Sequence, residues 1–439
     1  MNTLCVTGGR VLRPDGRVER ADVVIDRDAG TIRAVGAPDE VVDPTDAATE
    51  TLDAEGSLVI PGLVNAHTHV AMTLLRGYAD DKPLDAWLQE DIWPVEAELT
   101  PDDVEAGAEL GVVEMIRSGT TAFADMYFAV DRVADVVDRA GLRARLGHGV
   151  VTVGKDDEAA AADVEESLAV ARDLDGAADG RIRTAFMPHS LTTVGEAFLR
   201  DGLDRAADAG VPVHLHANET VDEVEPIVEE RGQRPIEYAD DLGALDEANF
   251  FAHGVHVDGA EIDVLAASGT AIVHCPASNM KLASGIAPVQ RMRDAGITVA
   301  LGTDGAASNN DLDLFDEMRD AAMVGKLAAE DASAVPAAAV VEMATAGGAD
   351  ALGLPGGRIA EGEAADLAVV DLDAPHLTPV HDPVSHLAYA AGGSDVRHTV
   401  CDGEVLMRDR EVLTLDVEAV RERAAEAAAD VVARAEDAE

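Results

Sequence analysis

The chain has 439 residues, 47% of them hydrophobic, enough to bury one large core and a smaller one. Its 85 acidic residues against 33 basic ones give a formal net charge of −52, which excludes nucleic acid and anionic membrane surfaces as partners. The acids run along the whole chain, the pattern of a surface adapted to high salt, where screening removes the self-repulsion.

The N-terminus, Met1-Asn2-Thr3-Leu4-Cys5, has no basic region ahead of an apolar stretch, and no apolar run approaches the ~20 residues of a membrane span. The three cysteines (Cys5, Cys275, Cys401) are scattered, which fits a reducing, cytoplasmic setting. The first segment reads as short strands: Leu4–Thr7, Val11–Leu12, Ala21–Ile25 and Thr31–Val35. The middle alternates apolar strands with helical stretches such as Asp102–Arg117 and Ala260–Ala267. Its strand candidates are Leu58–Val64, Thr120–Ala124, Arg143–Leu146, Arg183–Met187, Val211–Leu215, Asn249–Ala252, Ala271–Val273 and Thr298–Leu301. Eight βα units predict an α/β fold closed as a (β/α)8 TIM barrel. Strand texture returns at Ala365–Asp371, Val396–Val400 and Glu404–Met407, and an Ala/Glu/Arg-rich helix follows. The expected organisation is a barrel over 61–354, a small β-sandwich built from 1–60 and 355–415, and a C-terminal helix over 416–439.

His67 and His69 are two apart in an extended strand, so both imidazoles aim at one face. Two neutral imidazoles converging at a strand end suit a zinc-class metal. Catalytic groups of such barrels gather at the C-terminal strand ends. There the chain places His67 and His69, then His148, His189, His216 with Glu219, His253 with His256, His274, and Asp304. One such histidine is usually a structural hydrogen-bonder; so many on one rim make a metal centre the economical reading. His67, His69, His216 and Asp304 supply a four-ligand set from strands one, five and eight. A two-metal site is the competing arrangement. It needs a bridging carboxylated lysine at the fourth strand, which ends Met187-Pro188-His189, and the closest lysine, Lys155, follows strand three. One metal is therefore favoured. Glu219, if it stays off the metal, can pass protons between water and substrate; otherwise it is a surface glutamate opening a helix.

Four segments carry a resemblance: His67-Thr68-His69, His216-x-x-Glu219, His274-Cys275-Pro276-Ala277-Ser278-Asn279-x-Lys281-Leu282 and Gly302-Thr303-Asp304-Gly305-Ala306-Ala307-Ser308-Asn309-Asn310. With them the chain resembles the amidohydrolase superfamily, and within it the 5'-methylthioadenosine/S-adenosylhomocysteine deaminases, over nearly its whole length. The resemblance implies a distorted barrel with a two-ended sandwich, holding one Zn2+ per subunit (iron being possible with the same ligands). The implied reaction is hydrolytic deamination of an adenosine derivative by metal-activated water. It implies metal ligation by His67, His69, His216 and Asp304, with Asp304 also acting as base. It further implies Glu219 as proton shuttle, His253 as the residue that orients the water, Glu96 as partner of the ribose hydroxyls, and His189 and Ser308 as further substrate contacts. The expected partner is a small nucleoside, in a homo-oligomer. Where the family holds an amino-acid carboxylate with arginine, this chain has His148, which predicts a preference for uncharged 5'-substituents. The rival substrates are guanine, a pterin or a triazine-like ring. A non-catalytic scaffold would need lost ligands, and none is lost.

Overall fold

The computed structural model describes residues 2–37, 41 and 49–438. Its barrel strands are β1 (Leu63–Thr68), β2 (Thr120–Tyr127), β3 (Arg143–Val150), β4 (Ile182–Thr184, resumed at Met187–Pro188), β5 (His214–Ala217), β6 (Phe250–His253), β7 (Ala271–His274) and β8 (Val299–Leu301). Apart from Arg183, every residue in them is buried, which is why they read as continuous apolar runs and not as alternating ones. The intervening helices start where local chemistry dictates. Pro101–Arg117 opens on a Thr100/Asp103 capping box, and Gly259–Ser268 on an Asp258/Glu261 box.

The barrel is distorted because it is two parallel half-sheets, β1–β4 and β5–β8, with irregular seams. Isolated bridges Phe186–Val213 and Ser190–His216 join β4 to β5. At the other seam, Asp304 N–H donates to the His67 carbonyl at 3.0 Å. Gly302 makes this closure possible, since a Cβ there would lie 2.9 Å from His67 backbone nitrogen. That seam presses the ends of β1 and β8 together, and the two ends carry His67 and Asp304.

The terminal strands form two further sheets. One has four strands in the order Thr31–Gly36, Asp22–Asp26, Thr3–Thr7, Thr49–Asp53. The other has seven: Glu411–Val412, Glu404–Arg408, Val396–Cys401, Leu367–Asp371, Ser57–Pro61, Arg10–Leu12 and Val18–Arg20. Leu4, Ile25, Val59, Leu367 and Val400 belong to one buried cluster drawn from both. The helix Val417–Ala438 packs on Pro101–Arg117, where Arg423 and Arg434 meet Glu109 and Asp103.

The first predicted barrel strand needs correction. Leu58–Val64 is not one strand. Ser57–Pro61 pairs antiparallel with Leu367–Asp371 in the terminal sheet, and only Leu63–Thr68 enters the barrel. The handover is at Gly62, where a Cβ would fall 2.1 Å from Thr121 Oγ1. Both halves are buried, so hydropathy alone shows no break. Among the described residues, no helix is long and apolar enough to cross a membrane.

Candidate active site

The C-terminal ends of β1, β5, β6 and β8 converge on one pocket. His69 Nε2 lies 3.3 Å from His216 Nε2 and 3.3 Å from Asp304 Oδ1, and His67 Nε2 lies 3.4 Å from the same oxygen. A cation about 2.0–2.1 Å from four tetrahedral donors would put those donors about 3.3–3.4 Å apart. The three spacings are those of neighbouring donors around one metal ion.

Hydrogen bonds on the far side of each ring orient the donors. His69 Nδ1 meets the Met126 carbonyl at 2.7 Å, and His216 Nδ1 meets the His189 carbonyl at 2.7 Å. A carbonyl only accepts, so each Nδ1 carries a proton and each Nε2 presents a lone pair to the centre. His253 follows the same rule, with Nδ1 2.9 Å from Asn279 Oδ1. Asp304 is held from behind as well: Ser278 and Ser308 hydroxyls donate to its Oδ2 at 2.6 and 2.8 Å, leaving Oδ1 toward the histidines. His67 Nε2 is a buried nitrogen with no hydrogen-bond partner among the described residues. Lone pairs converging in this way call for a cation.

Burial holds the His67 pKa down at about 4, opposed by Asp304. Burial also depresses His69, but with no metal bound the Asp304 carboxylate and the Met126 carbonyl outweigh it and hold the ring at about 9, so a metal ion binding at Nε2 displaces that proton. The two rings sit at nearly equal distance from Asp304, yet one carboxylate balances only one charge, so the second imidazole stays neutral. His253 and Asp304 also have left-handed backbones, φ 74° and 64°, a strain of about 1–3 kcal/mol each that clusters at functional positions.

Glu219 stands beside this centre, with Oε2 3.6 Å from His253 Nε2. Burial raises its pKa, and the Asp304 charge adds to the effect. Its backbone N–H donates to Glu223 Oε2 at 2.8 Å, so the helix that follows (Val221–Arg231) fixes its position. Glu96 enters from Trp93–Glu96, directly after a π-helical turn at Leu88–Ile92. The pocket shares its lining among Glu96, His189, Glu219, His253, Asp304 and Ser308 and the apolar Leu84, Trp87, Leu88, Phe128 and Leu282. His189 hydrogen-bonds Thr193 Oγ1 through Nδ1 at 3.0 Å, and burial keeps it neutral, with a pKa of about 3.

The sequence-predicted residues thus divide. His67, His69, His216 and Asp304 come together, with Glu219, His253, Glu96, His189 and Ser308 around them. His148 does not line the pocket with them; its ring lies behind Phe128, which does. β3 continues past its predicted end at Leu146, so alternation turns Gly149 to the pocket and His148 to the helix layer. There His148 Nε2 meets Asp163 Oδ1 at 3.0 Å. His256 bonds the Ser284 carbonyl, and His274 is buried away from the pocket. Sequence reasoning assigned no role to His214, Tyr127, Ser278 or Asn279. His214-x-His216 repeats the spacing of His67-x-His69, a signal that was available; Tyr127 carried none.

A parallel barrel with histidines and an aspartate gathered at its strand ends defines a metal-dependent hydrolase. The sequence matches the amidohydrolase family model over residues 58–406, and the chain belongs to that family. A 5-methylthioadenosine/S-adenosylhomocysteine deaminase of Haloarcula marismortui is 70% identical, with 100% of each chain covered. A 5'-deoxyadenosine deaminase of Methanothermobacter thermautotrophicus is 45% identical, covering 98% of this chain and 99% of its own. Among solved structures, an adenosine deaminase from Xanthomonas campestris with bound zinc superposes with a TM-score of 0.92 at 38% identity, covering 98% of both chains.

Proposed function

We propose that the protein deaminates adenosine-type nucleosides to the corresponding inosine derivatives and ammonia, with one zinc ion held by His67, His69, His216 and Asp304. The observation that carries this is the 3.3–3.4 Å spacing that links His216 Nε2 to His69 Nε2, His69 Nε2 to Asp304 Oδ1 and His67 Nε2 to Asp304 Oδ1, next to the buried Glu219. Zinc bound there supplies a Lewis acid that makes water nucleophilic near neutral pH. The same donors also accept iron.

The chain's own residues do the rest. The Asp304 carboxylate, aimed by the two serine hydroxyls, accepts the proton of the attacking water. His253 Nε2, whose lone pair is fixed by the Asn279 contact, orients that water against the amine-bearing carbon. Glu219 protonates the adjacent ring nitrogen; its raised pKa keeps a proton available for that transfer. A second proton transfer then releases ammonia. His189 stays neutral beside the ring.

Glu96 selects a nucleoside over a free base. Its carboxylate accepts from Tyr127 at Oε1, which leaves Oε2 for ribose hydroxyls. A triazine or guanine has no ribose hydroxyls to offer that acceptor. The 5'-end meets no fixed cation, since no lysine or arginine lines the pocket among the described residues. Methylthio, deoxy and hydroxyl substituents therefore suit it better than the homocysteine tail. Ammonia release at high salt from adenosine, 5'-deoxyadenosine, 5'-methylthioadenosine, S-adenosylhomocysteine and guanine tests the reading. Turnover of guanine but of no nucleoside would refute it.

A further inference from the structure

His67 differs from the other histidines of the centre in what holds it. Its Nδ1 faces a second imidazole and not a carbonyl: His214 Nε2, 2.8 Å away, in an interior where both residues are fully buried. An imidazole–imidazole contact is ambiguous by itself, because either ring can donate. The next link removes the ambiguity. His214 Nδ1 lies 2.8 Å from the Phe250 carbonyl, which only accepts. His214 therefore carries its proton on Nδ1, its Nε2 is a lone pair, and His67 must donate to it from Nδ1. That leaves the His67 lone pair on Nε2, the atom facing Asp304.

We propose that His214 is a positioning residue for the metal centre: the Phe250 carbonyl sets the tautomer of His214, and His214 sets the tautomer and ring orientation of His67. The inference rests on the metal-centre reading above. His214 touches neither metal nor pocket; it acts through His67. Packing supports the relay. The His214 ring stacks on the Phe250 ring, with centroids 4.3 Å apart and planes at 17°, so the imidazole has little freedom to turn. β5 thus supplies two histidines to one centre, His216 facing it and His214 on the same strand face, against the far side of the His67 ring. Partners of this kind are worth about 10- to 100-fold in metal affinity.

The test uses two substitutions on protein stripped of metal and refilled with zinc or cobalt(II). His214→Phe keeps a flat ring for the stack but removes the acceptor. His214→Gln returns an acceptor near the position of Nε2. Competition with a chromophoric chelator reads affinity, and the visible cobalt spectrum reads ligand geometry. We expect His214→Phe to weaken metal binding about 10- to 100-fold and to alter the cobalt spectrum, and His214→Gln to recover most of both. Wild-type affinity and spectrum in His214→Phe would overturn the proposal. Equal losses in both variants would also overturn it, since they would mark simple space filling. No metal uptake by the wild type would defeat the metal-centre reading itself, and this inference with it. The 15N spectrum of histidine-labelled wild-type protein needs no substitution. His67 and His214 should each carry the proton on Nδ1, and a His67 protonated on Nε2 in the metal-loaded protein would refute the relay.

Discussion

The phenol of Tyr127 donates a hydrogen bond of 2.6 Å to Glu96 Oε1, joining the end of β2 to the segment that follows the π-helical turn. The contact holds a buried carboxylate in place and lowers its pKa, against burial, which raises it. Glu96 must be ionised to accept ribose hydroxyls. Its contribution is therefore present above its raised pKa and is lost as the pH falls through it.

Glu96→Ala should lower kcat/KM for nucleosides by about 10-fold or more, the worth of one charge-assisted hydrogen bond, and leave turnover of a free base little changed. Tyr127→Phe removes a group that stabilises the anion. The acid limb of kcat/KM should then move to higher pH, as a pH–rate profile will read. A limb that stays in place, or moves down, contradicts the assignment.

The two serines on Asp304 Oδ2 act on one carboxylate. Ser278→Ala and Ser308→Ala should each reduce kcat by about 10-fold, with smaller changes in KM, because each leaves Asp304 less firmly aimed. The double variant should fall short of the summed free energies, as residues sharing a partner do. Steady-state kinetics of the three variants decide it.

At the 5'-end, a carboxylate brought into a pocket without a cation goes unpaired. We expect kcat/KM for 5'-methylthioadenosine to exceed that for S-adenosylhomocysteine by about tenfold or more at high salt. Equal values would show that the tail finds a partner outside this lining.

His148 belongs to the helix layer, where Asp163 also accepts from Val151 N–H and pairs with Lys155. His148→Ala should lower thermal stability by about 1–3 kcal/mol and change kcat/KM for nucleosides less than twofold. A large kinetic effect with unchanged stability would return His148 to the pocket.

Much of this was legible in the sequence because its signals are local. His67-x-His69 needs only strand periodicity, and the eight apolar runs need only burial on both faces. What stayed hidden depends on where strands stop and how sheets exchange chain. Leu58–Val64 divides at Gly62 for a close approach to Thr121, a contact 59 positions away in sequence number that no local pattern carries. His148 was read as lying beyond a strand that ended at Leu146; the strand runs four residues further, and its alternation turns His148 to the helix layer. The supports behind the centre (His214, Ser278, Asn279) follow from three-dimensional neighbours, so only their residue types were visible.

The central claim is that this cluster of histidines and Asp304 holds the metal that activates water for deamination. Chelator-stripped protein, checked for metal content and assayed for ammonia release from 5'-deoxyadenosine, tests it directly. We expect the stripped protein to be inactive and about one equivalent of zinc per chain to restore turnover. Full turnover by protein that holds no metal would contradict the account.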